Sequence, residues 1–306
     1  MRLPAIPTEA LNGLLEPGLR ILSRRPNPWA STFPSEIMSC EIAGRTVSVM
    51  AKFSGSGGRP AFGHRSGLEY ELAVYRGLLA QTPISSPKFL GSCQTDWGTT
   101  LLIEFLGEGA GIDEYEPVEQ AVFAAADWCG AFHRFWDTQA VPDWVRRYDS
   151  NYYMQWGQRT QDFARKWHER LPWLRTLCEQ ASAALAAIPE QPTTLIHGEF
   201  TPSNVLIHAG QIKPVDWESC AVGLGEIDLV ALIEGWSPAI ASECIDRYRG
   251  ARWGAEPSLG LESRLDLAWL YWHFRWLGER ADWFSEDNVL RRSDHMYKTG
   301  KSMGLL

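Results

Sequence analysis

Residues 195–218, LIHGEFTPSNVLIHAGQIKPVDWE, decide how this chain is read. Residues 205–208 and 211–215 are apolar, β-branched runs separated only by Ala209 and Gly210, a pattern that predicts a tight hairpin. Pairing His208 with Gln211 sets Asn204 beside Val215, so Asn204 and Asp216 leave the ribbon at the same end. Two hard oxygen donors then face one space. Magnesium keeps several waters and takes few protein oxygens besides substrate phosphates, so an amide and a carboxylate held this way suit a nucleotide-bound metal. Glu199 lies five residues before Asn204, on the turn into the first strand, where a carboxylate can accept the proton of an attacking hydroxyl.

These residues carry a family resemblance. HGEFTPSN, residues 197–204, is similar to the catalytic loop H-G-D-x-x-x-x-N of the aminoglycoside phosphotransferase family and its choline and small-molecule kinase relatives. DWE, residues 216–218, resembles that family's metal-binding segment, and GLGEIDLVAL, residues 223–232, resembles the G-x-x-x-D-L run that follows it. The resemblance is specific between about residues 195 and 235 and looser over most of the chain. It implies an α+β, bilobal protein-kinase-like fold with a small mixed β-sheet lobe and a larger, mainly helical lobe. Residues 1–106 would form the nucleotide-binding lobe with its hinge, and residues 107–306 the catalytic and acceptor-binding lobe. By the same resemblance Glu199 is the catalytic base, Asn204 and Asp216 are magnesium ligands, and Asp228 is a structural carboxylate bracing the loop. His197 then orients the loop rather than carrying a proton.

One residue departs from the family pattern, because the usual base is Asp and Glu199 is one methylene longer. Misplacement of about 1 Å can cost on the order of a hundredfold in rate. Either the loop is set back to suit Glu and the chain is an active ATP- and magnesium-dependent O-phosphotransferase, or it is a catalytically silent nucleotide-binding protein or ligand sensor. Thr201 stands where many protein kinases carry a Lys on the transferred phosphate, which argues against a protein-kinase reading.

The amino-terminal third should supply the nucleotide contacts. Residues 46–53 alternate, with Val47, Val49, Ala51 and Phe53 on one face and Ser48, Met50 and Lys52 on the other. A lysine so placed ordinarily snorkels to solvent. With the downstream motif present, it is the expected cation for the α and β phosphates. Its partner should be a Glu on the next helix, marked by Leu68, Leu72, Tyr75 and Leu79; Glu71 flanks that face and Glu69 competes with it. SGSGG, residues 54–58, follows Lys52 and fails G-x-G-x-x-G because Pro60 takes the third position, so it reads as a flexible connection. The phosphate-covering loop must precede the lysine strand, and the glycine-free turn at residues 30–33 offers the hydroxyls of Ser31 and Thr32. Residues 99–105, TTLLIEF, read as a last strand running into the hinge, where the carbonyl of Glu104 and the amide of Leu106 are the expected adenine contacts. The Glu104 side chain has no assigned part.

Val118, Val122, Ala125, Cys129, Phe132 and Trp136 recur at helical spacing and mark a buried stripe, beside which His133 reads as a packed, hydrogen-bonded residue. His208 and Lys213 flank the hairpin and face solvent; Glu218 either assists the metal or is a solvated loop acid. Glu226, Glu234, Asp266 and Asp282 lie in the region where the family builds its acceptor pocket. Trp269, Trp272, Trp276 and Trp283 there are either core or aromatic walls for a substrate. Residues 143–192 read as a helical insertion where relatives vary acceptor recognition.

A net charge of -8 argues against a general nucleic-acid surface and suits a cationic small-molecule acceptor. The resemblance implies ATP as the nucleotide, with GTP open, and oligomeric state is not set by these residues. Six scattered cysteines without a C-x-x-C pair indicate neither zinc nor a disulfide scaffold. The absence of a membrane-length apolar run, and of a basic-then-apolar pattern in MRLPAIPTEALNG, predicts a cytoplasmic protein.

Overall fold

Strand alternation accounts for the first half of the chain. The computed structural model describes residues 8, 19–28, 33–54, 62–95, 98–107, 111–281 and 285–306. β1 (Leu19–Pro26), β2 (Ser35–Ile42), β3 (Arg45–Phe53), β4 (Phe89–Thr95) and β5 (Gly98–Glu104) form an antiparallel sheet in the order β1-β2-β3-β5-β4. In β3, Val49, Ala51 and Phe53 are buried and pack with Met38, Cys40 and Leu102, while Met50 and Lys52 occupy the opposite, half-buried face. Burying each large apolar side chain contributes about 1.5–3 kcal/mol, which fixes the register, since a slip of one residue would exchange the two faces.

α1 (Leu68–Gly77) packs on β5 and buries Leu68, Glu71, Val74 and Tyr75. Leu72 is only half-buried, so the stripe runs through Val74 instead, and the i, i+3, i+7 spacing from Leu68 places the Glu71 carboxylate on the buried side. α2 (Val118–Trp136) buries Val122, Ala125, Cys129, Phe132 and Trp136, as its periodicity predicts. α3 (Ser150–Ala164), capped by Asp149 accepting from the Tyr152 amide at 2.8 Å, and α4 (Pro172–Ala186) make the 143–192 segment helical. β6 (Thr193–Ile196) is followed by the hairpin strands β7 (Val205–His208) and β8 (Gln211–Pro214), then by β9 (Ala221–Leu224), which pairs antiparallel with β6. α5 (Glu226–Ile233), α6 (Pro238–Trp253), α7 (Leu261–Glu279) and α8 (Glu286–Ser302) complete the chain. The fold is thus α+β, a small antiparallel-sheet part and a larger helical part. No helix among the described residues is long and apolar enough to cross a membrane.

The chain divides into two compact units, Met1–Ala121 with Pro202–Ser219, and Val122–Thr201 with Cys220–Leu306. The β7–β8 hairpin therefore belongs to the unit containing the five-stranded sheet. Within the second unit α7 packs against α3, α5 and α8.

The hairpin has the expected register, His208 opposite Gln211 and Val205 opposite Pro214, and the Val215 amide donates to the Asn204 carbonyl at 2.8 Å. Both turn residues have positive φ, 49° at Ala209 and 74° at Gly210. That geometry matches the strand twist but costs a non-glycine residue about 1–2 kcal/mol, less for Asn. Ala209 is exposed, and Ala209→Asn is expected to raise stability by up to about 1 kcal/mol, read as a higher denaturation midpoint with an unchanged denaturant slope.

Candidate active site

Three side chains predicted from separate parts of the sequence meet in the first unit. Lys52 Nζ on β3 donates to Glu71 Oε1 on α1 at 2.8 Å and to Asp216 Oδ1 just beyond β8. The Lys52 side chain is 12% exposed and that of Glu71 wholly buried, while Asp216 remains 36% open to solvent. Burial alone would depress the ammonium, but the carboxylates of Asp216 and Glu71 outweigh it and hold Lys52 well above the usual lysine range. Burial likewise raises Glu71 against the opposing pull of Lys52. Lys52 is therefore a fixed cation. Glu69, the alternative partner, is exposed.

The hairpin holds Asn204 and Asp216 at its open end, because the main-chain bond from Val215 to Asn204 continues the ladder by one step. Asp216 has φ 64°, a left-handed conformation that short polar side chains tolerate, and the following turn Trp217–Ser219 packs on α1. One carboxylate and one amide oxygen on adjoining ends of a short ribbon form the sparse, hard donor set that suits magnesium.

The surroundings of the hairpin differ from expectation in four places. Lys213 is buried rather than solvent-facing, and donates to Glu104 Oε2 at 2.6 Å. The Glu104 side chain thus has a partner; burial would raise its carboxyl, but Lys213 and the Lys88 amide hold it low. His208 is half-buried, with Nδ1 bonded to the Leu106 carbonyl at 3.0 Å. Glu218 is neither solvated nor free for a metal: it is 4% exposed and paired with Arg65 at 3.4 Å. The first two of these ties fasten the hairpin to the end of β5, so the proposed adenine contacts at Glu104 and Leu106 and the proposed metal ligands share a fixed frame. Ser31 and Thr32 lie outside the described residues, as do residues 55–58 of the SGSGG segment.

In the second unit Asp228, near the start of α5, accepts from the amides of His197 at 2.7 Å and Gly198 at 2.8 Å, and from His133 Nε2 at 3.2 Å. Gly198 has φ 83°, which lets the two successive amides turn toward one carboxylate. His133 Nδ1 meets the Tyr248 hydroxyl at 3.0 Å, and that hydroxyl accepts from Arg252 Nη1 at 2.6 Å. Cys129, His133 and Asp228 have ligand atoms within 4.8 Å of one another, but Asp228 is occupied by two amides, so this is a sealed structural network. His197 is buried and its Nδ1 accepts from the Glu199 amide at 3.3 Å. Phe200, fully buried, stacks on Trp128 at 5.4 Å and pins the loop from the other side. Asp228→Ala leaves these donors unsatisfied at about 1–3 kcal/mol each, so the melting temperature is expected to fall by several degrees or more.

Glu199 is 8% exposed and ion-paired with Arg275 on α7, a partner the sequence did not disclose because Arg275 sits inside the Trp-rich stripe. Acids of the carboxy-terminal region are spent internally. Glu226 pairs with Arg264 at 2.9 Å, Glu234 with Arg292 at 3.0 Å and the Trp272 indole at 2.8 Å, and Asp266 accepts from Ser302 at 2.9 Å. Trp272 is buried, Trp269 and Trp276 are half-buried, and Asp282 and Trp283 lie outside the described residues.

Comparison with known proteins adds the following. The phosphotransferase enzyme family, APH, matches residues 59–260, more than half of the chain. No curated protein matches. Among solved structures, an aminoglycoside phosphotransferase from Alicyclobacillus acidocaldarius superposes with a TM-score of 0.64 at 16% identity, covering 98% of this chain and 95% of that one. A choline kinase from Cryptosporidium parvum gives 0.61 at 14% identity, covering 99% and 94%. The APH(2")-IIa complex with streptomycin and ATP gives 0.59 at 14% identity, covering 97% of each chain. These likenesses establish a protein-kinase-like fold of the aminoglycoside phosphotransferase and choline kinase type.

Proposed function

From the premise that this chain belongs to the phosphotransferase enzyme family and is a small-molecule kinase, we propose that it transfers the γ-phosphoryl group of ATP, with magnesium, to a hydroxyl of an aminoglycoside-like, amino-alcohol or sugar-type acceptor. The observation that carries this reading is Lys52 locked between Glu71 and Asp216 within one unit. A buried ammonium costs several kcal/mol to desolvate, and two carboxylates aligned on it make a cation whose position does not drift. Such a cation is what the α and β phosphates of a nucleotide require.

Asn204 and Asp216 would hold magnesium, which when bound neutralises charge on the phosphates during in-line transfer. Lys52 orients the α and β phosphates, and main-chain groups of Glu104 and Leu106 meet the adenine. Ser31 and Thr32 are the proposed phosphate contacts of the preceding loop. Glu199 takes the proton of the acceptor hydroxyl as its oxygen bonds to the γ-phosphorus and the bond to the departing ADP oxygen breaks. His197 and Asp228 hold the loop without touching the reacting atoms. In this reading residues 1–106 supply nucleotide contacts and residues 107–306 the catalytic and acceptor groups. GTP is the alternative nucleotide. The six buried cysteines suit a reducing cytoplasm.

Relatives frame the acceptor panel: the solved neighbours are described as binding streptomycin with ATP, as a choline kinase and as a fructosamine-3-kinase. Thermal stabilisation by magnesium and ATP, followed by transfer assays with streptomycin, choline and a fructosamine, tests the proposal. Ligand present at a hundredfold its dissociation constant stabilises by about 2.7 kcal/mol. Stabilisation with magnesium-dependent transfer is the expected result; no stabilisation by either ATP or GTP contradicts it.

A further inference from the structure

Arg275 is a costly residue to keep where it is. It lies on α7, 5% exposed, with its guanidinium 5.0 Å above the Trp272 ring. Its Nη2 donates to Glu199 Oε1, and among the described residues this is the single hydrogen bond the guanidinium makes; its Nε–H is buried without an acceptor. The contrast with Arg252 in the same unit is informative, since that side chain meets both Asp137 oxygens and the Tyr248 hydroxyl. A structural arginine is normally satisfied on several sides. Arg275 is satisfied on one, by the carboxylate assigned above as the base.

Glu199 also has a particular need for an anchor. It carries one more rotatable bond than the Asp usual in this loop, and each added rotor widens the volume a carboxylate samples. The loop backbone is pinned by Asp228 on the His197 and Gly198 amides and by Phe200 on Trp128, and Arg275 holds the side-chain Oε1.

We infer that Arg275 is a positioning residue for the phosphoryl-transfer reaction, fixing the longer Glu199 side chain so that its carboxylate occupies one defined place. This rests on Glu199 being the base. Groups facing the pair are the hydroxyls of Tyr152 and Tyr271, themselves bonded at 2.7 Å, Tyr148, which stacks on Tyr152, the Glu279 carboxylate and the His197 ring. The tyrosines are held protonated by burial. A consequence follows for Glu199→Asp: although it restores the side chain usual in the family, it withdraws the carboxylate from Arg275, and turnover drops.

Hydrolysis of magnesium-ATP, with water as acceptor and inorganic phosphate as the readout, tests this without knowledge of the natural acceptor. R275M is expected to lower kcat by roughly 10- to 100-fold with the KM for ATP within about twofold of wild type. Its acid limb should move to higher pH, because a buried carboxylate without its cation binds a proton more readily. R275K, which keeps the charge but not the planar fork, should recover part of kcat, remaining several-fold below wild type, and return the acid limb toward wild type. If R275M does not fold, R275K alone carries the test, with a several-fold kcat loss at constant KM expected. Wild-type kcat with an unmoved acid limb in R275M, or wild-type kcat in R275K where only that folds, overturns the positioning role while leaving the base intact. Wild-type hydrolysis in E199Q overturns the base, and the positioning role with it.

Discussion

Asp216→Ala is expected to abolish magnesium-dependent nucleotide turnover, with a loss of roughly 10³-fold or more. The same side chain would ligate the metal and grips Lys52, so its removal strikes two functions together. Lys52 retains Glu71, and Asp216 is 36% exposed, so the fold should tolerate the change with little loss of stability. The informative pattern is a near-native melting temperature combined with loss of the thermal shift given by magnesium and ATP. Replacement by Asn separates the two functions: an amide oxygen can still face Lys52 but is a poorer metal ligand.

Glu199→Gln has the second largest expected effect, a fall in phosphoryl transfer of roughly 10²- to 10⁴-fold, the range supplied by a positioned general base. Nucleotide binding should be spared, because Lys52, Glu71, Asn204 and Asp216 are untouched. Stability should decline, since the Arg275 guanidinium would then lie buried beside a neutral amide, and breaking a buried pair from one side costs about 3–5 kcal/mol. A variant that melts earlier, binds ATP normally and no longer transfers phosphate is the expected combination. Saturation kinetics would place the change in kcat rather than in the KM for ATP, as for an interaction made with the reacting hydroxyl.

What the sequence disclosed and what it withheld follow from the range of the interactions involved. The β7–β8 register, the alternation of β3 and the α2 stripe are local, each written in residues a few positions apart with a period of two or of three to four. Glu71 as the Lys52 partner was readable because α1 is the next helix and its buried face is marked by Leu68 and Tyr75. The Lys213–Glu104 pair spans 109 positions and the Arg275–Glu199 pair 76, and no periodicity links such distant residues. Lys213 looked like an outward residue of a short ribbon; the end of β5 covers that face and supplies a carboxylate. Arg275 was hidden by its neighbours, since Trp272 and Trp276 made the segment read as aromatic core or substrate wall. Glu226, Glu234 and Asp266 lie where the family builds its acceptor pocket, and no local pattern assigned them a part. Only tertiary structure shows that Arg264, Arg292 and Ser302 already occupy them.

The most direct test of the central claim is a crystal structure grown with magnesium and a non-hydrolysable ATP analogue. Side-chain oxygens of Asn204 and Asp216 should lie about 2.0–2.1 Å from the metal, with the Lys52 ammonium on the phosphates. Metal and phosphates seated away from Asn204, Asp216 and Lys52 would contradict the account.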